Sequence, residues 1–234
     1  MALPKLNENL KYEMTVPSSE RAVTYRPYLV KEEKILLQAF ESQDQKLAMR
    51  AMVDTIVACV NEPISSTDLS TFDVEYMFTQ IRAKSVGEKS QLEFKCEKCE
   101  EMTPVSIDLT SIQIEKSDVS NIIEVTDNIN IEMRYPTYDS FVKNFKEGMS
   151  ESEFGFLMLE DCIVAVMTED ERFLASDVSN KELNDFINSM TNAQFEKVGE
   201  FLRTVPVMKK EVEFTCASCQ HENTITLEGL QDFF

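Results

Sequence analysis

Apolar residues recur at helical spacing over two long stretches of this chain and at alternating spacing over two others, and the two kinds of stretch take turns. Over residues 31–60, Leu36 and Phe40 share one face, and Ala48, Met52, Ile56 and Val60 repeat at i+4, the stripe that an amphipathic helix buries. Ser42 with Gln45 three residues on reads as a capping box and predicts two helices with a break near Ser42. Another helix is predicted from Ser70, with Asp73 at the third position, a face of Val74, Met77, Phe78 and Ile81, and an end at Val86-Gly87. From Glu88 to Arg134 the period falls to two. Leu92-Glu93-Phe94 leads into Cys96, residues 105–109 alternate, and 112–114, 122–125 and 129–133 are further short strand candidates. Residues 137–204 return to helical spacing, punctuated by three capping boxes, Ser150/Glu153, Ser179/Glu182 and Thr191/Gln194, until Pro206 stops the run. Residues 12–16 and 22–25 are β-type runs in an extended N-terminal arm, and the last 25 residues are strand-like.

The order predicts an α+β fold, a helical layer with a small antiparallel β module. Its segments are 1–87 (arm and helices), 88–115 (a first cysteine hairpin), 116–207 (a β/helical insertion) and 208–234 (a second cysteine hairpin), folding as one cooperative domain.

The two hairpins are copies. Shifting residues 92–108 by 120 positions sets Leu92, Glu93 and Phe94 on Val212, Glu213 and Phe214. The same shift sets Cys96 and Cys99 on Cys216 and Cys219, and Val105 to Asp108 on Ile225 to Glu228. Both copies run strand, Cys-x-x-Cys, polar turn, strand, the pattern of a zinc knuckle. Two intervening residues let a tight turn aim both sulfurs at one point about 2.3 Å from a metal, and two turns complete a tetrahedron. Polar turn residues leave backbone N–H groups to donate to the sulfurs. Cys96, Cys99, Cys216 and Cys219 are thus the expected ligands of one structural Zn²⁺. A closed set of four thiolates has no place for a reactive water. Residues 100–215 lie between the pairs, but closing so long a loop adds little entropy cost per residue. Structural zinc contributes on the order of 10 kcal/mol, enough to offset it. Two other readings stay open: redox pairs, for which neither motif opens a helix in a βαβ setting, and hairpin turns that have lost their metal.

Composition narrows the function. Fifteen Phe and twelve Met supply core material without disulfides, and only 5 Gly and 7 Pro argue against a linker-dominated chain. With 23 basic against 42 acidic residues the formal charge is −19, which repels phosphate backbones and anionic membranes. No apolar run approaches the roughly 18–20 residues of a membrane span. Residues 1–10 have no apolar core of a secretory signal, so a reducing cytoplasm is expected, where cysteine pairs read as metal ligands.

Catalytic candidates are scarce. The chain has a single histidine, His221, two positions past Cys219; it reads as a turn residue in the second knuckle, which leaves a Ser-His or Cys-His arrangement without a base. Cys59 and Cys162 fall on apolar helical faces and read as buried, inert thiols. Glu160-Asp161 and Glu169-Asp170-Glu171 are neighbours in sequence, do not share a helix face, and read as solvated surface. The five glycines are isolated, so there is no phosphate loop. A binding protein, not an enzyme, is expected.

Three stretches carry a resemblance: Tyr25-Arg26-Pro27-Tyr28-Leu29-Val30-Lys31-Glu32-Glu33-Lys34-Ile35-Leu36-Leu37, Phe72-Asp73-Val74-Glu75-Tyr76-Met77-Phe78, and Arg82-Ala83-Lys84-Ser85-Val86-Gly87-Glu88. With the ending Gly229-Leu230-Gln231-Asp232-Phe233-Phe234, the chain resembles the baseplate hub proteins of T4-like bacteriophages along its whole length. The resemblance implies a role in building the hub of a contractile tail, as a hub subunit or as an assembly factor absent from the finished virion. Its implied partners are other hub proteins, and its implied places are the host cytoplasm and the virion baseplate. It carries over no catalytic residue. Tyr25, Arg26, Pro27 and Tyr28, ahead of a Lys/Glu-rich amphipathic helix, are candidate partner contacts, with packing in the protein's own core as the other reading. Phe233 and Phe234 are either a docking anchor or a lid on the hairpins. A zinc-ribbon nucleic-acid protein, disfavoured by charge, and a metalloenzyme, which needs an open metal position, are the remaining alternatives.

Overall fold

The computed structural model describes residues 10–115, 119–146 and 148–233. Strands β1 (Tyr12–Thr15) and β2 (Ala22–Tyr25) are followed by helices α1 (Val30–Glu41), α2 (Gln45–Cys59) and α3 (Thr71–Ser85). Next come β3 (Lys89–Lys95), β4 (Met102–Asp108), β5 (Gln113–Ile114), β6 (Ile122–Thr126) and β7 (Ile129–Met133). Helices α4 (Tyr138–Asn144) and α5 (Glu151–Cys162) precede β8 (Ile163–Met167) and β9 (Arg172–Leu174). Helices α6 (Asn180–Asn188) and α7 (Asn192–Arg203) and strands β10 (Met208–Thr215) and β11 (Glu222–Glu228) complete the chain. The fold is mixed α+β with small antiparallel sheets. It divides into two compact units, Met1–Glu115 with Val207–Phe234, and Lys116–Pro206.

In the first unit, α3 is the central element. Its predicted face, Val74, Met77, Phe78 and Ile81, is at most 3% exposed, and Phe72, Thr79, Gln80 and Ala83 are buried as well, so the helix is covered nearly all round. It packs on α2 on one side and on β5, β10 and the 3₁₀ turns Leu109–Ser111 and Leu230–Phe233 on the other. Gln80 Nε2 donates to the Leu109 carbonyl at 3.4 Å, which satisfies an amide that burial would otherwise penalise.

The start of α3 is clamped by Asp73. Its carboxylate accepts from the N–H and hydroxyl of Ser70, the predicted capping box, at 2.9 and 2.6 Å. It also accepts from the N–H and hydroxyl of Ser18, in the β1–β2 turn, at 2.8 and 2.5 Å. One fully buried carboxylate therefore ties the N-terminal hairpin to the helix through four charge-assisted bonds.

The break between α1 and α2 lies where the sequence placed it, but its cap is Asp44. Asp44 is extended and accepts from the Leu47 N–H at 3.1 Å, while Ser42 closes α1 and turns its hydroxyl back to the Ala39 carbonyl. Gln43 between them takes a positive φ of 56°, which moves the helix start two residues downstream of Ser42. The side chain of Gln45, the other half of the expected box, lies outside the described ones. On α1, Leu36 is buried as expected, but Phe40 is 47% exposed and Ala39 takes the inner position.

The second unit is a four-stranded antiparallel sheet, β6-β7-β8-β9, with helices α4 to α7. Val125, Ile131, Met133, Leu159, Ile163, Leu183, Ile187, Val198 and Phe201 form its core. All three predicted capping boxes are present, at Ser150/Glu153, Ser179/Glu182 and Thr191/Gln194. The continuous helical reading of 137–204 is corrected by the hairpin β8–β9. The run Ile163-Val164-Ala165-Val166 is β-branched and continues from Cys162 without a turn residue, so helical spacing from the preceding helix masks the change of period. Glu169-Asp170-Glu171 sits at the tip of that hairpin, where the Thr168 N–H donates to the Glu171 carbonyl at 2.8 Å; these acids are solvated, on a turn and not on a helix.

Two outcomes test this packing. Asp73→Ala removes the shared acceptor of a helix cap and a tertiary clamp and leaves buried donors unpaired, so urea unfolding should show a loss of about 3 kcal/mol; a loss within error of zero contradicts the clamp. Glu75, on α3, is pushed up in pKa by burial, against the Leu230 N–H bond that favours its charge. A carboxyl raised on folding contributes stability that is full below its unfolded pKa and is lost as pH rises through the folded value. Glu75→Gln should therefore gain on the wild type as pH rises from 4 to 7, and parallel pH curves for the two proteins contradict it.

Candidate metal centre

The cysteine hairpins are duplicated at the level of backbone geometry. In β3–β4, Lys89 pairs with Asp108 and Lys95 with Met102; in β10–β11, Lys209 pairs with Glu228 and Thr215 with Glu222. Every intermediate pair obeys the same shift of 120 positions. In the turns, the Cys96 N–H donates to the Glu101 carbonyl and the Glu100 N–H to the Cys96 carbonyl, both at 2.9 Å. Cys216 and His221 repeat the first bond at 2.9 Å, and Gln220 and Cys216 the second at 3.0 Å. Each turn needs one left-handed residue, Glu100 at φ 61° and Gln220 at φ 56°. A non-glycine residue accepts that conformation only where surrounding bonds hold it.

Both hairpins pack their apolar faces into one cluster. Ala83, Ile107, Leu109, Ile112, Met208, Val212, Leu227 and Phe233 are its buried members, with Leu92, Phe94, Val105 and Ile225 among those against them. Phe94 and its copy Phe214 meet with ring centroids 5.8 Å apart. Packing at the base thus brings the two Cys-x-x-Cys tips to one place.

There the four sulfurs gather, all within 4.8 Å of one another. Cys96 and Cys219 are 3.7 Å apart and Cys99 and Cys216 3.5 Å, two contacts that the repeat exchanges with each other. These are not disulfide distances, which are near 2.05 Å. A tetrahedral zinc with sulfurs at about 2.3 Å spaces them about 3.8 Å apart. The donor set, its spacing and its burial fit such an ion; Cys96 and Cys216 are at most 1% exposed, while Cys99 lies at the surface.

Backbone polarity is arranged for thiolates. Burial opposes charge on Cys96, but the N–H groups of Cys99 and Lys98, then Cys219 and the Asn223 amide, hold its thiol below the ordinary value. At Cys216 the Cys219 N–H leads; with Ser218 and the neighbouring thiols it outweighs burial and brings the pKa down to about 6. The Glu101 N–H favours charge on Cys99, yet hydrogen bonding to Cys219, burial and the other two thiols push it up to about 12. Backbone N–H groups aimed at Cys96 and Cys216 thus favour the thiolate form in which cysteine takes up a metal.

The other sequence candidates fall elsewhere. Cys59 and Cys162 are buried in apolar surroundings, and burial pushes their thiols up to about 11 and about 12. Tyr25 is 2% exposed, packed on Tyr12 with its ring centroid 5.7 Å away. Arg26 Nη2 donates to Glu32 Oε1 at 2.9 Å and to the Ala58 carbonyl at 3.0 Å, and Pro27 and Tyr28 are half-buried. Phe233 is fully buried among the hairpin residues, and Phe234 lies outside the described residues. His221 contributes its carbonyl to the second turn. Sequence reasoning did not single out Asn223 or Glu32, which are 2% and 5% exposed and hold the cysteine turns and the start of α1. Their polarity in otherwise alternating or helical patterns gives no sign of burial.

Residues 9–234 match the family described as T4 bacteriophage base plate protein. The chain belongs to that family. It is also 23% identical, over 226 residues, to the baseplate hub assembly protein gp26 of Enterobacteria phage T4, covering 96% of this chain and 98% of that protein. No solved structure matches it. For this base plate family member, no described helix is long and apolar enough to cross a membrane.

The thiol environments give a direct test. In the native protein treated with a strong chelator, a thiol reagent should label Cys96, Cys99, Cys216 and Cys219 first. Cys59 and Cys162 should stay unlabelled until denaturant is added, and early labelling of either contradicts their inert placement.

Proposed function

We propose that this chain builds the hub of a contractile-tail baseplate by binding other hub proteins, without turnover, and that Cys96, Cys99, Cys216 and Cys219 hold one structural Zn²⁺ as a ribbon-like clasp. The observation that carries the assembly role is the family match over residues 9–234, joined by full-length similarity to a hub assembly protein. The four gathered sulfurs support the metal reading. With all four positions filled by protein, zinc acts here on folding and not on a substrate.

Partner contact centres on the segment around α1. Tyr25 and Arg26 anchor it from inside, Pro27 and Tyr28 are partly open, and Val30, Ile35, Leu37 and Phe40 are 63, 55, 54 and 47% exposed. Solvent-exposed apolar side chains on one short helix fit a protein neighbour better than solvent. Phe234, next in sequence to the buried Phe233, is a further candidate contact. The formal charge of −19 favours protein partners with basic surfaces and disfavours nucleic acid and anionic membranes. Assembly places the chain in the host cytoplasm, and retention would place it in the virion baseplate.

Complementation tests this reading. Cells infected with phage lacking this chain should recover infectious particles when supplied with the wild type. They should recover few with a Cys96→Ser/Cys216→Ser variant, and the particles of the deficient phage should lack hubs. Complete hubs formed without the chain overturn the assembly role. Mass spectrometry of purified virions separates a retained subunit, which is detected, from an assembly factor, which is not.

A further inference from the structure

The two cysteine turns are alike in backbone, register and sulfur contacts, yet one side chain joins them on one side only. Asn223 lies on β11 and is 2% exposed. Its Oδ1 accepts the N–H of Glu97, inside the first Cys-x-x-Cys turn, at 3.0 Å. Its Nδ2 donates to the carbonyl of His221, in the second turn, at 2.9 Å. The His221 carbonyl also takes the Cys216 N–H at 2.9 Å, so the amide grips the bond that closes the second turn. The oxygen and nitrogen cannot be exchanged, because a flipped amide would set its NH₂ against the Glu97 N–H.

The repeat places Thr103 at the matching position of the first hairpin. It is 6% exposed, and its Oγ1 finds no hydrogen-bond partner among the described residues. A threonine hydroxyl is shorter than an asparagine amide and offers one donor in place of two, so it does not span the gap between the turns. Among the described residues the duplicated site therefore has one amide latch between its turns, and it sits on the Cys96 side.

We propose that Asn223 is the positioning residue that locks the first cysteine turn onto the second and so sets how slowly the centre gives up its metal. This rests on the zinc reading above. The amide acts in two ways: it fixes the Glu97 peptide and with it the aim of Cys96, and it keeps the second turn closed. Partners of metal ligands are worth about 10- to 100-fold in metal affinity when removed. The latch makes no contact with solvent, so its loss acts on the centre and not on an outer surface.

The test uses the full-length zinc-loaded protein and follows metal transfer to a chromophoric chelator under native conditions. Asn223→Ala should release zinc at least about tenfold faster than the wild type, within the range for lost ligand partners. Asn223→Asp keeps the acceptor for Glu97 but loses both donors and adds charge beside four thiolates, so it should also release faster. Thr103→Val, which removes a hydroxyl of the same burial in the other copy, should release at the wild-type rate. Circular dichroism establishes that the variants are folded, and Asn223→Asp decides the matter if Asn223→Ala is not. Equal release from the Asn223 variants and the wild type overturns the latch, as does a Thr103→Val effect of the same size. A wild type that carries no metal at all overturns the zinc reading itself, a separate outcome from the first two.

Discussion

Two short turns from remote parts of the chain bring four sulfurs within 4.8 Å of one another, and that convergence constrains the whole first unit. Thiols packed so closely repel as thiolates and gain little as neutral groups, so the arrangement makes energetic sense around a dication. The apolar cluster at the base of the hairpins and the sulfur cluster at their tips divide the work. Leu92, Val105, Ile107, Val212 and Leu227 gather the hairpins through hydrophobic burial, which is undirected. A metal held by the four sulfurs at the tips, as proposed, would be directional and would fix their mutual aim. Helix α3 fastens the cluster to the helical layer from the other side, through its contacts with α2.

The clasp also accounts for the path of the chain. The unit Lys116–Pro206 leaves after the first hairpin and returns just before the second. Because loop-closure entropy rises only logarithmically with length, a whole folded unit can be carried between the two halves at modest cost, provided that the halves are joined firmly. The duplication supplies that joint with an internal two-fold relation: Phe94 faces Phe214, and the Cys96–Cys219 contact mirrors Cys216–Cys99. Where the copies differ, at Asn223 against Thr103, the symmetry is broken by a buried amide.

Much of the first unit and of the cysteine cluster is legible in the sequence because the signals are local. Cys-x-x-Cys, the polar turn and the alternating flanks define each hairpin within a few residues, and the shift of 120 positions makes the match self-checking. Capping boxes located α3, α5, α6 and α7 for the same reason. What escaped depends on tertiary context. The β8–β9 hairpin follows α5 with no turn residue at Cys162 and Ile163, so only pairing with β7 reveals it. The cap at Asp44 is chosen by the left-handed turn at Gln43, and the burial of Asp73 and Asn223 follows from partners far along the chain. An isolated polar letter in a sequence does not announce its partner.

X-ray absorption at the zinc edge, on freshly purified protein with metal and protein quantified together, probes the sulfur clasp most directly. One zinc per chain, surrounded by four sulfurs at about 2.3 Å, is the expected spectrum. Protein that is folded and free of metal, or a shell in which oxygen or nitrogen replaces sulfur, would contradict a cation held jointly by the two cysteine turns.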